Sequence, residues 1–206
     1  MTRQTPPHQA QSSVGEDART LSAMLDHAEA LWAQGRLIAA RKIEEQVVAG
    51  RTRLFGRKHT DTLKAIGKLA VTMAAQGELA EARRLQEEVV AGMCQLYGEN
   101  GRDTLRAINN LAGTVAAQGE FAAADTLLRS VIAAITRDHG EQDPDCLSAM
   151  GNLAGILWQA GDRDEAYELQ RQVVELQRRA RGDNDPATLT AAMVLEMMER
   201  DSLNGF

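Results

Sequence analysis

Between residues 101 and 142 the apolar positions fall three and four apart. Leu105, Ile108, Leu111, Ala112 and Val115 mark one face of a helix. Asp103 or Thr104 is placed to cap its start. Gly119 stands where the stripe stops, and glycine tolerates the left-handed turn just past a helix end. A second helix starts near Phe121, carries Ala124, Leu127, Leu128, Val131, Ile132 and Ile135 on its apolar face, and ends at Gly140. The segment reads as a helical hairpin with a short turn. Strand-like alternation appears nowhere in the chain.

This hairpin recurs every 42 residues. "AAQGE" at 74–78 returns at 116–120, "VVAG" at 47–50 returns at 89–92, and "DTL" at 61–63 returns at 103–105. Gly35, Gly77, Gly119 and Gly161 share one column, and Gly56, Gly98, Gly140 and Gly182 share another. Leu21, Leu63, Leu105, Leu147 and Leu189 form a third column, and Ala40, Ala82, Ala124 and Ala166 a fourth. Asp143-Pro144 and Asp185-Pro186 put a capping side chain before a proline, which suits a first helical turn. A fixed period of this length marks a stacked array, because each unit leaves an apolar face that only its neighbour covers. The expected class is all-α, a solenoid of antiparallel helix pairs. The hairpins are expected near 20–55, 61–97, 103–139 and 145–181, with a capping helix at 186–200. The solenoid then spans 18–200, between a flexible tail at 1–17 and a short tail at 201–206.

The helix pair with "NNLA" at 109–112, "AAQGEF" at 116–121 and the small Ala124 resembles a tetratricopeptide repeat. The usual period of that repeat is shorter. The 42-residue spacing, with "GRKHTDTL" at 56–63 and "GEQDPDCL" at 140–147, is similar to the kinesin-light-chain type. This resemblance implies a right-handed superhelix whose first helices line the concave side. It covers about 21–200 and does not identify a partner.

Composition narrows the field of functions. A net charge of −6 argues against non-specific binding of nucleic acid, and with 3% aromatic residues base-stacking platforms are scarce. No run approaches a membrane span, and the polar start "MTRQTPPHQAQSSVGED" lacks the apolar stretch of an export signal. Cys94 and Cys146 occupy different repeat positions without a CxxC partner, so a reducing cytoplasm is the expected compartment. His8, His27, His59 and His139 lack ligand-like spacing, and neither GxSxG, HExxH nor a phosphate-binding glycine loop is present. No set of nucleophile, base and oxyanion donor can be assembled, so neither an enzyme nor a cofactor is expected.

If Leu105, Ile108, Leu111, Ala112 and Val115 point into the stack, the opposite stripe is Arg106, Asn109, Gly113 and Ala116. The matching stripes are Lys64, Gly67, Val71 and Ala74; Ser148, Gly151, Gly155 and Trp158; and Ser22, Leu25, Glu29 and Trp32. The resemblance assigns these stripes to the groove. Gly67, Gly113, Gly151 and Gly155 each cost a helix about 1 kcal/mol relative to alanine. They either admit the backbone of a ligand or reflect curvature or simple drift. Lys64 and Arg106 either receive a partner's carboxylate or are solvated charges. Kinesin light chains receive short acidic peptides on basic residues and asparagines at matching positions; Asn109 fits that pattern, whereas Gly67 and Gly151 depart from it. Trp32 and Trp158 are either interface anchors or pack under their own second helices. Met193, Met197 and Met198 on the last helix either cap the stack or self-associate as a homodimer. The leading expectation is an adaptor or regulatory subunit gripping a protein or peptide, acidic residues included. A self-associating scaffold is the alternative.

Overall fold

The apolar stripes close onto one another as helix pairs. The computed structural model describes residues 7–204. Helices α1 (Pro7–Ala33) and α2 (Leu37–Phe55) form the first hairpin, and α3 (Thr60–Ala75) and α4 (Leu79–Tyr97) the second. Helices α5 (Arg102–Ala117) and α6 (Phe121–His139) form the third, α7 (Pro144–Ala160) and α8 (Arg163–Arg181) the fourth, and α9 (Pro186–Asn204) follows. The fold is all-α, of the solenoid class, with no strand among the described residues. None of the described helices is long and apolar enough to cross a membrane.

The chain divides into two compact units, Met1–Leu96 and Tyr97–Phe206. In the first, α2 packs on both α1 and α3, and Leu63 of α3 lies against Gly92 of α4. In the second, α5 through α9 pack each on the next, and α5 also touches α7. Ala28, Ala70, Ala112 and Ala154 on first helices, and Ala40, Ala82, Ala124 and Ala166 on second helices, are 0% exposed. The helices approach one another at these columns, where no larger side chain has room.

Both glycine columns do the work their spacing suggested. All eight members have positive φ, among them Gly119 at +85° and Gly140 at +86°. The Gly140 N–H donates to the Thr136 carbonyl at 3.0 Å and closes α6. A side chain at such a φ would be strained.

Three expectations at helix starts and ends need correction. First, α1 begins at Pro7, so residues 7–17 are helical where a flexible tail was expected; residues 1–6 lie outside the described residues. That segment has no apolar stripe to betray it. A nucleated helix nevertheless extends one residue at a time without a new nucleus, and Pro7 suits the first position. Second, α9 likewise runs on to Asn204. Third, α5 is capped by neither Asp103 nor Thr104: its N-cap is Gly101, which has no capping side chain, while the Thr104 hydroxyl donates to the Gly98 carbonyl at 2.8 Å.

Helices α3, α7 and α9 are capped by side chains. Asp143 Oδ1 accepts from the Asp145 N–H at 2.8 Å, Asp185 Oδ1 from the Ala187 N–H at 2.9 Å, and His59 Nδ1 from the Asp61 N–H at 3.2 Å. His59 and Gly101 thus hold the position that aspartate holds at 143 and 185. His59→Asp is expected to stabilise by about 0.5–1 kcal/mol, by adding a better cap and a favourable charge at the helix start. Gly101→Asp is expected to destabilise by at least about 1 kcal/mol. Its Cβ would lie 2.6 Å from Tyr97 Cβ and 2.7 Å from the Tyr97 carbonyl oxygen, and backbone cannot swing aside. Thermal unfolding of the two variants checks both signs.

Candidate functional site

In the second unit the stripe that carries Arg106 and Asn109 is a polar lattice rather than a row of open charges. Asp143 caps α7 and so holds that helix start beside α5. There Arg106 Nε donates to Asp145 Oδ1 at 2.8 Å, and its guanidinium lies 3.9 Å from Asp103 Oδ1. Arg102 pairs with Asp143 and lies 3.2 Å from Asp145 Oδ2. The Asp145 hydrogen bond, foremost, raises the Arg106 pKa above its ordinary value. Two arginines therefore face three aspartates. A carboxylate arriving at Arg106 would have to compete with one already bound.

Further along α5, Asn152 Nδ2 donates to Asn109 Oδ1 at 3.0 Å. A cleft of about 220 Å³ opens here, lined by Arg106, Asn109, Asn110, Asp145 and Ser148 over a floor that includes Val131 and Ile135 of α6. A second cleft of about 520 Å³ lies between α7 and α9, where Ser148, Gly151 and Asn152 face Thr190 and Val194 above Gln170 and Gln177 of α8. Asn152 and Asp145 lie outside the stripe expected from the spacing. The available signal was the column shared by Asn110 and Asn152, one place beside it.

The glycines separate into two kinds. A Cβ on Gly113, Gly151 or Gly155 would meet no heavy atom within 4 Å. On Gly67 it would lie 3.9 Å from Val89 Cγ1, an ordinary packing contact. Internal packing therefore does not require glycine at the first three positions.

In the first unit Lys64 is exposed on α3, and Glu29 of the matching stripe on α1 pairs with Lys68. The tryptophans part company. Trp32 is 43% exposed, whereas Trp158 is half-buried, with the Arg163 guanidinium at the start of α8 lying 5.1 Å from its ring centre. On α9, Met198 is buried, while Leu189, Met193 and Met197 are 50%, 69% and 53% exposed. Among the described residues no cluster of three or more His, Cys, Asp or Glu side chains could hold a metal ion.

Comparison with known proteins agrees with this architecture. The family model of the tetratricopeptide repeat matches residues 18–95, 103–166 and 145–201. A crystal structure of Podosopora anserina kinesin light chain nearly identical TPR-like repeats is similar over 90% of this chain and 87% of that one, at 27% identity and a TM-score of 0.69. BtubC (BKLC) from P. vanneervenii shares the fold at 18% identity, over 97% of this chain and 91% of that one, with a TM-score of 0.66. No curated protein matches the sequence.

Proposed function

Since the chain belongs to the tetratricopeptide repeat family, a class that mediates protein–protein interaction or scaffolding, we propose that it is an adaptor or regulatory subunit. It holds a peptide or protein segment along the inner stripe of its first helices and carries out no reaction. The carrying observation is the open glycine set, Gly113, Gly151 and Gly155. These residues weaken their helices, and a Cβ at any of them would meet no other part of the protein within 4 Å. A partner backbone can approach there, beside amide and hydroxyl groups of Asn109, Asn152 and Ser148 that suit main-chain hydrogen bonds. Because Arg106 already holds Asp145, an acidic residue on the partner is no requirement in this unit. The compartment that fits this role is the cytoplasm.

Substitution of these glycines separates binding from folding. Gly113→Ala, Gly151→Ala and Gly155→Ala should each stabilise by about 1 kcal/mol, since the added methyl relieves helix entropy and meets no neighbour. The Leu versions should be similarly stable but fill the approach. The checks are thermal unfolding and affinity capture from native lysate read by mass spectrometry. Unchanged capture by the triple Leu variant would refute the groove reading.

One observation favours a second reading, self-association. Leu189 is 50% exposed although its column mates Leu63, Leu105 and Leu147 are 2%, 5% and 2% exposed, and Met193 and Met197 extend its apolar surface. Light scattering across concentrations is then expected to show a dimer that Met193→Glu dissociates. A concentration-independent monomer would exclude it.

A further inference from the structure

The internal repeats provide a standard against which the first hairpin tip can be judged. At the entry to the second helix, repeats two, three and four carry Glu78, Glu120 and Asp162; repeat one carries Arg36. Arg36 is the N-cap of α2 and makes no side-chain capping bond. A cation at the positive end of a helix dipole is unfavourable, whereas the three acidic residues suit it. Two places on, the other repeats carry Ala80, Ala122 and Asp164, all exposed; repeat one carries Ile38, which is 83% exposed. At the end of α1 the same hairpin exposes Trp32, where the middle repeats have Ala74 and Ala116. Folding gains nothing visible from Arg36 or Ile38, since the same turn forms three more times with an acid and a small or polar residue. Local rules broken without local compensation mark functional positions.

A notch of about 960 Å³ surrounds Ile38, bounded by Leu37, Ala39 and Lys42 of α2 and by Gln76 and Glu78 beyond α3. The charges on it are unevenly satisfied. Arg41 pairs with both Glu45 and Glu78 and donates to Gln76 at 3.0 Å, so one cation is shared between two acids and the notch, with Arg36 and Lys42, keeps a net charge of +1. Arg36 and Lys42 have no ion pair among the described residues and are exposed. The uncompensated charge is positive, and it flanks an apolar side chain.

We propose that this tip is a second protein-docking site, which takes an acidic segment carrying one bulky apolar side chain. The apolar side chain packs on Ile38 in the notch, and flanking carboxylates meet Arg36 and Lys42. Aromatic and arginine residues beside an apolar pocket are the usual anchors of such contacts. A membrane surface is the poorer match, because anionic headgroups are read by clusters of roughly four to eight basic residues. This site stands independently of the inner groove.

The test selects a displayed library of random short peptides on the full chain, on Arg36→Glu/Ile38→Ala, and on the groove variant Gly151→Leu. The first variant installs residues that positions 78 and 80, and 120 and 122, already carry in the same turn, so its fold is not at risk. Of the peptides enriched by the wild type, those that also bind the groove variant should carry a bulky apolar residue flanked by Asp or Glu. They should bind the tip variant roughly tenfold or more weakly and the groove variant unchanged. Lys42→Glu should weaken them in the same direction. Among peptides that still bind the groove variant, a lack of acidic residues or equal binding to the tip variant would overturn the proposal, as would the absence of any such peptide. So would binding to phosphatidylserine vesicles that the tip variant loses.

Discussion

Leu63→Ala is expected to lower the unfolding free energy by about 2–5 kcal/mol, read by chemical denaturation. Leu63 is 2% exposed and seats α3 on α4. What faces it is Gly92: a Cβ placed there would lie 2.7 Å from Leu63 Cδ1 and 3.0 Å from Cδ2. Leu21 meets Gly50 at the same distances, so the leucine–glycine contact is a built joint of the first unit. Gly92→Ala alone should change stability little. Its helix gain of about 1 kcal/mol is offset by the need to displace the Leu63 methyls. In the Leu63→Ala background the same methyl enters vacated space. The double variant should therefore recover part of the loss, with a coupling energy of about 1–2 kcal/mol. Strict additivity would show that the two residues do not meet.

Glu44→Gln should stabilise the protein by about 1–3 kcal/mol at neutral pH and flatten its pH dependence. Glu44 of α2 is 2% exposed; its Oε1 accepts from the Thr72 hydroxyl at 3.0 Å and its buried Oε2 has no partner. Burial, before all else, raises its pKa above the ordinary 4.5, against the lowering effect of the Thr72 hydrogen bond and of Lys68, while Glu29 and Glu45 add to the rise. The folded state therefore holds this proton more tightly than the unfolded state does. The contribution to stability is complete below the unfolded value of 4.5 and is lost as pH climbs from there through the raised folded value. Glutamine removes that slope. It also has a precedent in the chain: Gln170, three repeats on, is buried and donates through Nε2 to the Ala191 carbonyl at 2.8 Å. The counterpart of Ala191 is Ala65 of α3, whose carbonyl is the expected partner of a glutamine at 44. Urea denaturation of both forms across pH 4–8 checks it; parallel curves would exclude the buried carboxyl as the source of the slope.

The stripe that carries Arg106 and Asn109 was legible as positions but not as chemistry. Helical spacing placed Arg106 and Asn109 on the face away from the core, and the structure keeps both there. Their partners come from the next first helix: Asp145 lies 39 residues beyond Arg106, and Asn152 lies 43 beyond Asn109. Neither separation equals the 42-residue period, so the column logic that identified the stripe could not pair them. Pairing depends on the offset of one helix against the next, which core packing sets. Glu44 shows the same limit. Its hydrogen-bond partner, Thr72, lies 28 residues further on, in α3.

By itself the sequence determined the helix pairs, their period and their turns. Those features are set by local physics: apolar residues at helical spacing, capping aspartates before proline, and glycine where φ must be positive. The fully buried alanine columns also follow from the period, since a repeating contact needs a repeating small residue. Tertiary structure alone decided which polar groups remain available. Arg106 is committed to Asp145, whereas the notch beside Ile38 keeps Arg36 and Lys42 uncompensated. The reason is that a side chain's identity fixes its charge, whereas its neighbours, brought from another repeat, fix whether that charge is already satisfied.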